Sequence, residues 1–66
     1  MTLAERKQLV EEALELAKDA DYSLFEAHGH WQPGPSYNMP KAYEFEKRAA
    51  EAARRAAILL EKVGRE

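Results

Sequence analysis

The stretch that decides the fold is HGHWQPGPSYNMPKAY, His28 to Tyr43. It holds all three prolines, both histidines and the only tryptophan of a 66-residue chain. On either side lie long segments built from Ala, Leu, Glu, Lys and Arg, which are strong helix formers. Proline fixes its own φ, removes a backbone donor and restricts the residue before it, so Pro33 and Pro35 around Gly34 interrupt helix and stiffen the connection.

Upstream, Thr2 followed by Glu5 fits a capping box, in which each side chain satisfies the other's free backbone N–H. Apolar residues then recur at Leu3, Val10, Ala13, Leu14, Ala17, Ala20, Leu24 and Ala27, the steps of an amphipathic helix, with Leu9 and Leu16 widening the stripe on one side. Gly29 is placed to end this helix in a left-handed conformation. Asp21 could cap a separate short helix, which makes residues 19–21 a candidate break. Downstream, Asn38 is a favoured N-cap, and Pro40 is tolerated in a first turn. The second stripe runs Ala42, Phe45, Ala49, Ala52, Ala53, Ala56, Leu59, Leu60, Val63, with Gly64 as its closing residue.

The expected fold is all-α and forms one domain over residues 1–66. It is an antiparallel hairpin of two helices, about 2–28 and 39–63, each roughly 37–39 Å long and joined by a Pro/Gly/aromatic loop of about ten residues. Residues 1–21 carry six acids and three bases, and residues 46–66 carry four acids and six bases, so the two flanks attract one another. Seven alanines line residues 42–57, and each buries little area. A core this thin calls for cover, from the loop aromatics as a lid, from a second copy, or from another protein.

Composition narrows the function classes. Net charge is −2 and the basic flank is expected to pair with the acidic one, so nucleic acid is not the expected partner. No apolar run approaches the roughly 18 residues of a membrane span. The N-terminal MTLAERKQLVEE has charges where a secretory signal needs an apolar stretch, so no targeting is expected. With no cysteine, compartment cannot be read from redox chemistry. His28 and His30, with Glu26 nearby, fall short of the three or four ligands a zinc site uses, so neither a metal nor another cofactor is expected. No nucleophile motif or phosphate loop is present, and Ser36 beside His30 is a neighbour pair without further support, so the chain is not expected to be an enzyme.

The aromatics point elsewhere. All six lie within Tyr22–Phe45. On a helical wheel, Tyr22 falls in the polar face of the first helix, near Glu11, Glu15, Lys18 and Glu26, with Phe25 at its edge. Tyr43 and Ile58 fall outside the second stripe, and Ala50 and Ala57 continue Tyr43 as a weaker apolar line. Trp and Tyr bury much area for few rotatable bonds, Met adapts, and Pro and Gly hold shape, the features of a preorganised contact loop. The candidate contact residues are Tyr22, Phe25, His28, His30, Trp31, Pro33, Pro35, Tyr37, Met39 and Tyr43, facing a protein partner. The competing expectation is that Trp31 folds back to plug the open end of the hairpin.

LAERKQLVEEALELAKDA and EFEKRAAEAARRAAILLEKVGRE resemble helices of de novo designed mini-protein binders in their helix formers, end caps, mixed charges and lack of cysteine. The resemblance implies a binding module or inhibitor and no particular target. AYEFEKRAAEAARRAAILL is also similar to the Ala-rich second helix of prokaryotic HEPN domains, some of which are ribonucleases. That family's signature is an Arg followed four to six residues later by His, and no His follows Arg48, Arg54 or Arg55. The alternatives to a designed binder are a self-associating structural protein, as a homodimeric four-helix bundle, and a small natural regulator such as an antitoxin or phage inhibitor.

Overall fold

The computed structural model describes residues 1–65. Two α-helices, α1 (Leu3–Trp31) and α2 (Met39–Gly64), pack side by side as a helical hairpin, with no strand among the described residues. The Thr2 capping box forms as expected: Glu5 N–H donates to Thr2 Oγ1 at 3.1 Å, and Thr2 N–H donates to Glu5 Oε1 at 3.4 Å. Asn38 caps α2, its Oδ1 accepting from Lys41 N–H at 3.1 Å, and Pro40 sits in the first turn, where its missing N–H is not needed.

Three boundary expectations are corrected. Gly29 does not end α1, which continues to Trp31. The stop is Gln32, at φ −72° and ψ 136°, because the residue before Pro33 is pushed out of the α region. No break occurs at 19–21, and Asp19 instead faces α2. Gly64 is the last helical residue of α2, and the terminating position is Arg65. The connection is therefore shorter than expected, and it is tightly held. Tyr37 N–H donates to the Gly34 carbonyl at 3.1 Å and Asn38 N–H to the His30 carbonyl at 2.9 Å. Gly34 has φ +135°, which residues with a Cβ rarely adopt.

The packing seam also differs from the stripe read along the chain. On α1 the inward residues are Leu9, Ala13, Leu16, Ala20, Ser23, Ala27 and His30. On α2 they are Ala42, Phe45, Ala49, Ala52, Ala56, Leu59 and Val63. Both lines alternate steps of three and four without exception, the 3.5-residue period of a coiled coil. Leu3, Val10, Leu14 and Leu24, expected in the core, are exposed, Leu3 at 83%. The reason is steric. An alanine-lined α2 admits close approach only from a face that is itself mostly small, and the Ala13–Ala20–Ala27 line offers one. Asp19 meeting Arg48 on one edge and Trp31 meeting Glu46 on the other sets the register. Ala20 meets Ala49 and Ala52 in an all-alanine centre.

Ser23 is the anomaly in the seam. It is fully buried, and its Oγ has no hydrogen-bond partner. A buried hydroxyl without a partner costs about 1–3 kcal/mol. Ser23→Ala is expected to stabilise the chain by about 1 kcal/mol, raising the melting midpoint by about 4–8 °C for a domain this small. A lowered midpoint would show that the hydroxyl is satisfied. The two loop-side glycines should respond in opposite directions. A Cβ at Gly29 meets nothing within 4 Å, so Gly29→Ala is expected to gain about 1 kcal/mol of helix propensity. Gly34→Ala should lose about as much through backbone strain, measured by the same thermal melts.

Candidate protein-contact surface

Each helix has two flanks beside the seam, and residues at seven-residue steps stay on one flank. One flank of α1 carries Glu5, Glu12, Asp19 and Glu26, and the facing flank of α2 carries Lys41, Arg48, Arg55 and Lys62. Asp19 and Arg48 meet at 3.1 Å. The antiparallel order puts the other acids on the same side as the other bases, and Asp19 with Arg48 is the cross-helix pair that closes. Both partners of the 3.1 Å pair are partly exposed, and such a pair contributes about 1 kcal/mol or less. Its larger effect is on register, because a slip of one heptad would leave an acid and a base without opposites.

The other flank is apolar. α1 contributes Leu3, Val10, Ala17, Leu24 and Trp31, and α2 contributes Met39, Ala53 and Leu60, with Glu46 the only charge in these lines. Leu24 and Leu60 remain 54% and 50% exposed. Between the helices they border a shallow groove of about 380 Å³, floored by Ala17, Ala20, Ala53 and Ala56. A second groove of about 520 Å³ opens near the chain termini, lined by Leu3, Val10 and Val63 with the stems of Arg6 and Lys7. Tyr43, Ala50 and Ala57 border this flank on α2, which is the weaker apolar line seen in the sequence.

At the loop end the flank becomes aromatic. The Trp31 ring packs edge-on against Tyr43, with centroids 5.2 Å apart and planes at 89°, and its indole N–H donates to Glu46 Oε1 at 3.2 Å. Trp31 is half-buried and Tyr43 exposed, so the tryptophan is partly folded back and partly presented. His30 is half-buried, stacked on Phe45 with centroids 5.7 Å apart, and its Nδ1–H donates to the Ser36 carbonyl at 2.9 Å. The His30–Ser36 neighbour pair thus uses the serine backbone and not its hydroxyl. His28 is exposed, and its Nε2 accepts from the Gln32 side-chain amide at 3.0 Å. Pro33, Pro35, Tyr37 and Met39 are exposed around the turn.

Not all of the sequence-derived contact residues come together. Trp31, Met39 and Tyr43 share the apolar flank, and Tyr37 lies on the loop beside them. Tyr22 lies one turn from Asp19, on the charged flank. Phe25, 73% exposed, points away from α2 on the outer side of α1. Sequence reasoning missed Leu24 and Leu60 as surface residues by assigning them to the core, and it missed Glu46 as the anchor of Trp31. The available signal was that α1 carries two parallel apolar lines, each in seven-residue steps, of which the smaller suits an alanine-rich partner.

Among the described residues no group of three or more His, Asp or Glu is placed to hold a metal ion. No described helix is long and apolar enough to cross a membrane.

Trp31 is the only tryptophan, so its emission reports on this corner directly. Tyr43→Ala removes the edge-on ring and is expected to cost about 1 kcal/mol, with a red-shifted emission and stronger quenching by acrylamide. Unchanged emission would mean that the two rings do not pack in solution.

No family model matches the chain, and neither the curated proteins nor the solved structures yield a match.

Proposed function

We propose that the chain is a non-enzymatic protein-binding module that contacts a protein partner through the aromatic and proline-rich segment 22–43. The observation that carries this reading is the rigid presentation of exposed apolar groups at the loop end. Tyr37, Met39 and Tyr43 each remain at least 41% exposed. Tyr37 sits on a turn held by two backbone hydrogen bonds and by the His30 contact to Ser36, and Met39 and Tyr43 stand on the first turns of α2 beside Trp31. A turn already held in shape loses little freedom on binding, and large rings bury much area for few rotamers. A designed mini-binder and a small natural regulator, such as an antitoxin or phage inhibitor, would use such a surface in the same way. Tyr22 and Phe25 face other directions, so a partner reaching them as well would have to wrap round α1.

Trp31 packs within the hairpin, so removing it mixes binding with stability. The cleaner variant is Tyr37→Ala/Met39→Ala, which touches neither ring pair. In a quantitative pull-down from candidate lysates, the wild type should retain a partner and the double variant should lose it. Hot-spot truncations cost about 2 kcal/mol or more, roughly thirtyfold in affinity. The helical circular-dichroism signal should stay unchanged. Equal capture by both proteins would refute a contact surface at the loop.

A further inference from the structure

The hairpin exposes 5118 Å² of surface. A folded monomer of 7.5 kDa exposes about 4,200 Å² by the usual scaling of surface with mass. The surplus is therefore about 900 Å². The shape agrees: the radius of gyration is 15.2 Å, against about 11 Å for a compact chain of this length. On one side lie acids of α1 and bases of α2, joined by the Asp19–Arg48 pair, and on the other runs the apolar flank from Leu3 to Trp31 and from Met39 to Leu60.

We propose that a second copy of this chain covers the apolar flank, two hairpins packing face to face as a four-helix bundle. Area, length and charge each favour that occupant. A standard interface buries about 800 Å² on each partner, close to the surplus this chain exposes. The flank extends along most of a molecule 50 Å long, so its cover must be a rigid apolar face of similar length, and the chain's own flank is one. A twofold interface sets a patch against itself, so a strongly charged flank would repel its own copy. Here the acidic and basic lines lie on the opposite flank. Glu46 is engaged by the Trp31 indole N–H. Tyr43, Ala50 and Ala57 bring no charge to the α2 border, and the charged residues lining the two grooves on α1 are two bases, Arg6 and Lys7, and two acids, Glu11 and Asp21. Leu24 and Leu60 line the groove together with Ala17, Ala53 and Ala57, so large and small apolar residues stand side by side on the face a second copy would meet.

The second copy and the proposed partner both reach Met39 and Tyr43, whereas Tyr37 lies on the loop beyond the flank, so Tyr37→Ala should leave the dimer untouched while weakening the partner. Sedimentation equilibrium of the full chain at tens of micromolar is expected to give twice the 7.5 kDa of one chain. Leu24→Glu/Leu60→Glu should sediment as a single chain, while Phe25→Glu, on the outer side of α1, should remain double. The wild-type melting midpoint should rise with protein concentration, as linked folding and association require, and this check holds even if the double variant fails to fold. A single-chain mass for the wild type, or a midpoint independent of concentration, overturns the proposal. So does flotation of the wild type with vesicles of mixed neutral and anionic phospholipid, which would assign the flank to a lipid surface.

Discussion

Two long helices can lie close together only where both present small side chains, and the seam of this hairpin is built on that constraint. Ala13, Ala20 and Ala27 on one helix meet Ala42, Ala49, Ala52 and Ala56 on the other, all buried. Close approach brings backbones within dispersion range, but it sequesters little apolar area per residue. The larger side chains are consequently displaced to the flanks. Leu3, Val10, Leu24 and Leu60 stand beside the seam, where a bulkier seam would have drawn them in. The hairpin's wide exposed apolar flank follows from the smallness of its core.

The opposite flank supplies what the alanine seam lacks. A row of near-identical small residues specifies register weakly, since sliding by one heptad replaces alanine with alanine. Acids on α1 and bases on α2 remove that degeneracy, and Asp19 with Arg48 is the pair that closes. The loop acts to the same end. Pro33 halts α1 by restricting Gln32, Gly34 makes the turn that other residues resist, and Asn38 restarts the helix. His30 and Trp31, in the last turn of α1, reach α2 through Phe45, Tyr43 and Glu46.

Much of this was legible in the sequence, because caps, charges and prolines act locally. Thr2 with Glu5 and Asn38 with Pro40 mark helix starts through bonds spanning three residues. What was not legible depended on the partner helix. Periodicity shows that α1 has an apolar side but not which of two adjacent apolar lines faces inward. Side-chain size favours the line of Leu3, Val10 and Leu24, whereas complementarity to an alanine-rich α2 selects Ala13, Ala20 and Ala27. Gly29 misled for a related reason: glycine is a common helix end, yet the proline four residues later governs where the helix stops. At the candidate site, the concentration of aromatics was visible, but the division between Trp31 turned partly inward and Tyr37 outward rests on Glu46, fifteen residues away in the chain from Trp31.

Alanines form the buried centre of the seam, with Leu9, Leu16, Leu59 and Val63 only partly covered beside them, and Leu14 lies outside it. Methyl–methyl nuclear Overhauser contacts within one chain test that claim most directly. The expected result is a strong contact between the β-methyls of Ala20 and Ala52, and none from the Leu14 methyls to α2 of the same chain. Leu14 in contact with its own α2, with the Ala20–Ala52 contact absent, would contradict it.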